Sequence, residues 1–172
     1  PRMYSDHRVF GYQYQSYWRD VGTIESYWGS HMELLGANSP LNLEDPELKL
    51  RTAGAIMPPA RVGSSAHIED SLISPAAQID GTAIRSVISP GVIIEKGAEV
   101  RDSIIQHRCV IRAGAVVDRS ILDKEVVVGR GVRVGTGDSG IPNTERPDIV
   151  NAGISIIGKR VTLPPGLQVG RN

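Results

Sequence analysis

Ile88-Ser-Pro-Gly-Val-Ile, Ile94-Glu-Lys-Gly-Ala-Glu, Val100-Arg-Asp-Ser-Ile: residues 88–104 fall into blocks of six, six and five, and the residues that follow repeat the division. Residues 105–121 read Ile105-Gln-His-Arg-Cys-Val, Ile111-Arg-Ala-Gly-Ala-Val, Val117-Asp-Arg-Ser-Ile, and residues 122–135 read Leu122-Asp-Lys-Glu-Val-Val, Val128-Gly-Arg-Gly-Val-Arg, Val134-Gly. The period of 17 residues carries Ile88, Ile105 and Leu122 into one column, Ile94, Ile111 and Val128 into a second, and Val100, Val117 and Val134 into a third. A fixed period of this length marks a stacked repeat, in which one unit cannot bury its apolar face without the next. Three aliphatic columns mean three faces per coil, each supplying a short strand that pairs with its equivalent one coil away at a spacing of about 4.8 Å. The pattern predicts a mainly β chain, a triangular parallel β-helix with about 17 residues per coil.

The intervening positions are equally regular. Gly97, Gly114 and Gly131 align, as expected where a corner needs a positive φ or a close backbone approach. Ala98, Ala115 and Val132 align, as do Val92, Cys109 and Val126, so these positions take small or medium residues that fit a narrow interior. Cys109 is thereby read as interior filler. Ser71 and Ser86, 15 residues apart, extend the series backwards through less regular coils, and the whole pattern covers about residues 62–135. Residues one period apart should be lateral neighbours. Glu95 then lies beside Arg112, Arg101 beside Asp118, Asp102 beside Arg119, and Arg108 beside Glu125, each an opposite-sign pair. Many of the arginines are on this reading ladder partners, each exposed pair contributing about 0–1 kcal/mol.

The chain has 172 residues, and its eight aromatic side chains all lie in the first 28 positions, the last being Tyr27 and Trp28. A stack of aliphatic layers has no room for rings, which accounts for their absence from the rest. Formal net charge is zero, from 19 Lys and Arg against 19 Asp and Glu, so no global field draws the chain to nucleic acid or an anionic membrane. No apolar run approaches the roughly 18–20 residues that span a bilayer, and a signal-peptide core is lacking. The single cysteine, Cys109, cannot form an internal disulfide and points to a reducing compartment. Pro1 stands where an initiator Met is expected, so the chain is expected to be a piece of something longer.

Outside the repeat, residues 136–152 form a polar stretch with Asp138, Pro142, Asn143, Pro147 and Asn151, read as a loop that leaves the coil. The aliphatic rhythm resumes from Ile154 to Gly170 and is expected to cap the solenoid. At the other end the sequence predicts a strand at residues 8–14, a second at 16–21, a Gly22-Thr23 turn and an amphipathic helix from Ile24 with Thr23 as N-cap. Ile24, Tyr27, Trp28, His31 and Leu35 share one helical stripe. A linker rich in Asn, Pro and Leu follows at 36–61.

Tyr17-Trp18-Arg19-Asp20-Val21-Gly22-Thr23-Ile24-Glu25-Ser26-Tyr27-Trp28 resembles the terminal motif of the nucleotidyltransferase domain of bacterial glucose-1-phosphate adenylyltransferase, the ADP-glucose pyrophosphorylase family of glycogen biosynthesis. Pro58-Pro59-Ala60, the hexapeptide coils, Gly153-Ile-Ser-Ile-Ile-Gly-Lys and Pro164-Pro165-Gly are similar to that family's C-terminal half, so the resemblance covers essentially the whole chain. It implies that residues 1–35 are the end of an α/β nucleotidyltransferase domain, 36–61 a linker, and 62–172 a left-handed parallel β-helix with a loop insertion at 136–152. It implies an enzyme that forms ADP-glucose and pyrophosphate from ATP and glucose 1-phosphate, the rest of its catalytic apparatus lying upstream of Pro1. Asp20 is then one of two carboxylates holding a catalytic Mg²⁺, with Trp18 and Arg19 beside the nucleotide site. The β-helix would serve assembly into a homotetramer and binding of a phosphorylated metabolite effector, for which Arg130, Arg133, Arg160 and Arg171 are candidates by their suitability for phosphate. A cytoplasmic location follows from the same likeness, with neither nucleic acid nor membrane as partner.

Other readings of the residues stand beside it. Hexapeptide coils also occur in acyltransferases, which use a histidine as general base with acyl-CoA along the coils, and His107 and His67 are the residues available. A purely structural assembly module is the third. Gly135-Thr-Gly137-Asp-Ser-Gly140 has dinucleotide-fingerprint spacing, but Ile141-Pro142 follows it where a helix would have to begin.

Overall fold

Ridges of aliphatic side chains that recur once per coil have one efficient burial, the axis of a stack, and this is the arrangement found. A computed structural model describes residues 5, 7–43, 45–47, 56–138, 144, 146–147 and 152–171. Among them, short parallel strands build three sheets. The first sheet stacks β1 (Arg61–Val62), β4 (Gln78–Ile79), β7 (Ile93–Ile94), β10 (Val110–Ile111), β13 (Val127–Val128) and β16 (Thr162–Leu163). The second stacks β2 (His67–Glu69), β5 (Thr82–Ile84), β8 (Glu99–Arg101), β11 (Val116–Asp118), β14 (Arg133–Asp138) and β17 (Gln168–Arg171). The third stacks β3 (Leu72–Ile73), β6 (Val87–Ile88), β9 (Ile104–Ile105), β12 (Ser120–Leu122) and β15 (Ser155–Ile157). Successive strands in the chain visit the three sheets in turn, which makes the chain a parallel β-solenoid.

The 17-residue register is confirmed at every predicted column. Ile105 pairs with both Ile88 and Leu122, Ile111 with both Ile94 and Val128, and Val117 with both Val100 and Val134. All nine side chains have no solvent exposure, as do Val92, Cys109 and Val126. Each buried aliphatic contributes about 1.5–3 kcal/mol. The earlier coil is shorter, since His67 pairs with Thr82 and Leu72 with Val87, 15 residues on.

The corners follow from backbone chemistry. Gly97, Gly114 and Gly131 have φ of 77°, 72° and 64°, the left-handed conformation the glycine column predicts. At a second corner Asp70, Arg85, Asp102 and Arg119 turn the chain at φ of 44°, 46°, 43° and 42°, although side chains disfavour this region. Each is followed by a serine, and the serines explain how the turn is held. The hydroxyls of Ser86, Ser103 and Ser120 donate to the carbonyls of Ile84, Arg101 and Asp118 at 2.7, 2.5 and 2.6 Å. Each hydroxyl of Ser71, Ser86 and Ser103 also accepts the backbone N–H of the serine one coil later, at 3.0, 3.2 and 3.0 Å. The wholly buried column of Ser86, Ser103 and Ser120 therefore satisfies corner groups that the short strands leave over.

Two of the four predicted charge ladders form, Arg112 with Glu95 and Arg108 with Glu125, each at 2.6 Å. The other two are neighbours whose charges find different partners. Arg101 and Asp118 are paired in register, but Arg101 meets Glu99 on its own strand and Asp118 takes Arg171 from β17. Asp102 bonds Arg85 from the preceding coil at 2.8 Å, which leaves Arg119 to lie over an aromatic ring described below. Strand β14 runs on to Asp138, further than the repeat predicts, with its register against β17 shifting between Val134 and Asp138. Most of the expected loop, at 139–143, 145 and 148–151, lies outside the described residues. Ile154, buried, resumes the core.

Candidate functional site

Thr23 ends an extended segment and starts helix α1 (Ile24–Met32) through a reciprocal capping box: its Oγ1 accepts the Ser26 N–H, and the Ser26 hydroxyl accepts the Thr23 N–H, both at 3.1 Å. Ile24, Tyr27 and Trp28 of the predicted stripe fix how the helix docks, joined by Met32 in place of His31 and Leu35. Ile24, Tyr27, Trp28 and Met32 cover Ile104 and Ile121 on the outer side of the third sheet, together with Ile154. Polar groups lock the fit. The Trp28 indole Nε1–H donates to the Asp102 carbonyl at 2.8 Å, and the Arg119 guanidinium lies 4.6 Å from the Trp28 ring centroid. Gln106 Nε2 donates to the Tyr27 hydroxyl at 2.9 Å, while burial, with Asp123 nearby, pushes the Tyr27 phenol above its ordinary pKa. His31 lies against Tyr27 with ring centroids 4.4 Å apart and planes tilted by 50°.

The segment before the helix behaves differently. Residues 8–14 and 16–21 form no ladder, so the two predicted strands are absent. A strand needs a paired neighbour, and among the described residues none runs beside them. Phe10, Tyr12 and Trp18 are 78, 90 and 74% exposed, and Val9, Tyr14 and Val21 are exposed too. One side chain ties this segment to the helix: the Tyr17 hydroxyl donates to Glu33 Oε2 at 2.9 Å, and Arg19 Nη1 meets Glu33 Oε1 at 3.2 Å. The Glu33 bond raises the Tyr17 phenol above its ordinary pKa.

Asp20 is exposed, with its Oδ2 3.3 Å from where a Cβ on Gly22 would stand, so the glycine leaves room for the carboxylate to fold over the turn. Asp20 is a hard oxygen donor of the kind Mg²⁺ takes. It is one ligand, and among the described residues no group of three or more His, Cys, Asp or Glu is placed to share a metal ion. The residues present therefore fit one arm of a Mg²⁺ site.

The four candidate arginines divide into two kinds. Arg160 Nε bonds Glu125 at 2.9 Å, and Arg171 reaches Asp118 and the Gly135 carbonyl. Glu125, held by Arg108 and then Arg160, has its carboxyl drawn down to about 2. Arg130 and Arg133 are exposed on the last coil before the loop. His107 is half-buried, and its Nδ1 is enclosed with no hydrogen-bond partner. His67 sits near Glu69 on the exposed second sheet, 3.7 Å away. Cys109 is inert filler, its thiol donating to the Asp123 carbonyl at 3.0 Å and pushed by burial up to about 11. A cavity of about 810 Å³ lies between residues 34–43 and the first coils, with Asp70 as its charged lining group and none of the predicted site residues in its wall.

Glu33 is the residue the sequence reading missed. Its signal was available, an acid ending the helix nine residues after Ile24 while Tyr17 and Arg19 alternate along the preceding segment, but nothing in a single sequence places the two side by side. Among the described residues no helix is long and apolar enough to cross a membrane.

Three parallel sheets built from coils of hexad blocks, with a helix docked on one face, define a hexapeptide-repeat β-solenoid protein. Residues 55–154 match the family described as GlmU-like, C-terminal hexapeptide, and the chain belongs to that family. Over its whole length it is similar to the glucose-1-phosphate adenylyltransferases of Acetivibrio thermocellus, at 36% identity, and Thermomicrobium roseum, at 43% identity, and covers 40% of each. The corresponding enzyme of Fervidobacterium nodosum is 30% identical, again across the whole chain and 41% of that protein. The chain thus spans about two fifths of the length of these relatives.

Proposed function

We propose that this chain is the C-terminal part of a glucose-1-phosphate adenylyltransferase of glycogen biosynthesis. In this reading residues 1–35 close the nucleotidyltransferase domain, 36–61 link, and 62–172 form a left-handed β-helix for assembly and regulation in a cytoplasmic homotetramer. The observation that carries it is that the likeness to enzymes so named runs through the head as well as the coils, where the coils alone would suit many hexapeptide proteins. The exposed Phe10, Tyr12 and Trp18 support it physically, since several large exposed rings in one short segment suit a face to be covered.

The reaction joins glucose 1-phosphate to the AMP part of ATP and releases pyrophosphate. Asp20 would hold Mg²⁺ together with a second carboxylate, and the ion would offset charge on the phosphates. Trp18, exposed beside it, offers a flat apolar surface at the nucleotide site, and Arg19 is occupied in holding the segment to Glu33. For a phosphorylated effector, Arg130 and Arg133 are the better placed of the four arginines, because Arg160 and Arg171 already hold carboxylates.

The test is pyrophosphate release from ATP in the presence of glucose 1-phosphate by the complete protein. Turnover that Asp20→Asn abolishes supports the reading. Turnover of acetyl-CoA that disappears in His107→Ala overturns it in favour of the acyltransferase.

A further inference from the structure

In an extended segment alternate side chains face opposite ways. Tyr17 and Arg19 both reach the Glu33 carboxylate, one on each oxygen, so Trp18 and Asp20 are turned away from the helix, where both are exposed. The Arg19 guanidinium lies over the helix at Gly29, where a Cβ would stand 3.5 Å from its Nη2, an ordinary van der Waals contact. Glu33 itself is fixed as the C-cap of α1, its N–H bonded to the Gly29 carbonyl at 2.9 Å. The helix in turn is pinned to the solenoid by Trp28 on the Asp102 carbonyl and by Tyr27 on Gln106.

We propose that Glu33 is a positioning residue for the metal-ligand segment, a clasp that presents Asp20 and Trp18 to the nucleotide site and makes the solenoid the fixed support for that presentation. This rests on the adenylyltransferase reading for what Asp20 does, and on the Glu33 contacts alone for the clasp. The contiguous route runs from Arg119 and Asp102 in the coils through Trp28 and the helix to Glu33, and from there through Tyr17 and Arg19 to Asp20.

The clasp is tested on the 172-residue chain by limited trypsin digestion followed by mass spectrometry. Glu33→Ala frees the Arg19 side chain, and cleavage after Arg19 should accelerate about two- to fivefold, the change in open population set by an exposed ion pair and one hydrogen bond, with cleavage after Arg8 unchanged as internal control. Tyr17→Phe should do the same to a smaller extent. In the complete protein the Mg²⁺ concentration for half-maximal pyrophosphate release should rise by a similar factor in Glu33→Ala. Unchanged cleavage after Arg19 overturns the clasp whatever the turnover. Faster cleavage with unchanged Mg²⁺ dependence overturns the positioning role. If Asp20→Asn still turns over, the catalytic reading fails and with it the purpose assigned to the clasp, a result distinguishable because the Arg19 cleavage rates are independent of it.

Discussion

The coils and the head solve the same burial problem with opposite means. From Ile79 to Val134 every inward side chain meets its own equivalent one coil above and below, and residues such as Ile94, Ile111 and Val128 are fully enclosed by their own chain. In the head, larger side chains lie in the open: Phe10 and Tyr12 have more apolar surface than any isoleucine and are 78 and 90% exposed. Helix α1 stands between, with one face closed on the third sheet and Glu33 reaching back to the head. The difference teaches that apolar surface stabilises this fold only where a periodic neighbour exists to cover it. On the proposed reading, the aromatic rings without such a neighbour mark an edge that the rest of the catalytic domain covers.

The sharpest way to break the contrast is to truncate one residue on each side of it. Ile111→Ala should cost about 2–5 kcal/mol in urea denaturation, whereas Phe10→Ala should stay within about 0.5 kcal/mol; equal losses would mean that the head is packed in solution. Ser103→Ala should cost about 1–3 kcal/mol, because it strands the buried Ser120 N–H while removing hardly any volume; the Arg101 carbonyl keeps the Arg119 N–H. Trp28→Phe keeps a ring on Ile104 and loses the bond to the Asp102 carbonyl. It should cost about 1 kcal/mol, seen as faster amide exchange in 24–32 with the coil exchange unchanged.

The smallest effect is electrostatic. Glu125 has its pKa depressed from 4.5 to about 2 by Arg108 and Arg160, so its ionised form favours the folded state above pH 4.5, and that contribution disappears as pH falls from 4.5 to about 2. Across that window the melting temperature of the parent chain should fall slightly more steeply than that of Glu125→Gln.

The coils were legible because each interior position is set by a neighbour of known identity 17 residues away, so Ile94, Ile111 and Val128 could be aligned from spacing alone. The N-cap at Thr23 and the docking of Ile24, Tyr27 and Trp28 were legible for a similar local reason, whereas the reciprocal bond from Ser26 and the contact of Met32 were not. The destinations of Arg101, Asp102 and Arg119 were not, since each has two acids or an aromatic ring within reach and long side chains choose by geometry. The expected strands at 8–14 and 16–21 carry the right residue types, yet strand formation depends on a partner, and propensity does not supply one. For the candidate site, the motif singled out Asp20, Trp18 and Arg19; the part played by Glu33 depended on how the helix and the preceding segment lie together.

On the proposed reading, residues 7–22 are the uncovered edge of a catalytic domain and the coils form a scaffold that folds by itself. Hydrogen exchange measured residue by residue, on this chain and on the complete protein, tests it most directly. Amides of the coil strands, such as those of Val110, Val116 and Val127, should be strongly and equally protected in both, while amides of 8–14 and 16–21 should exchange freely in the chain and become protected in the complete protein. Free exchange of the head in the complete protein, or protection of the head in the chain alone, would contradict it.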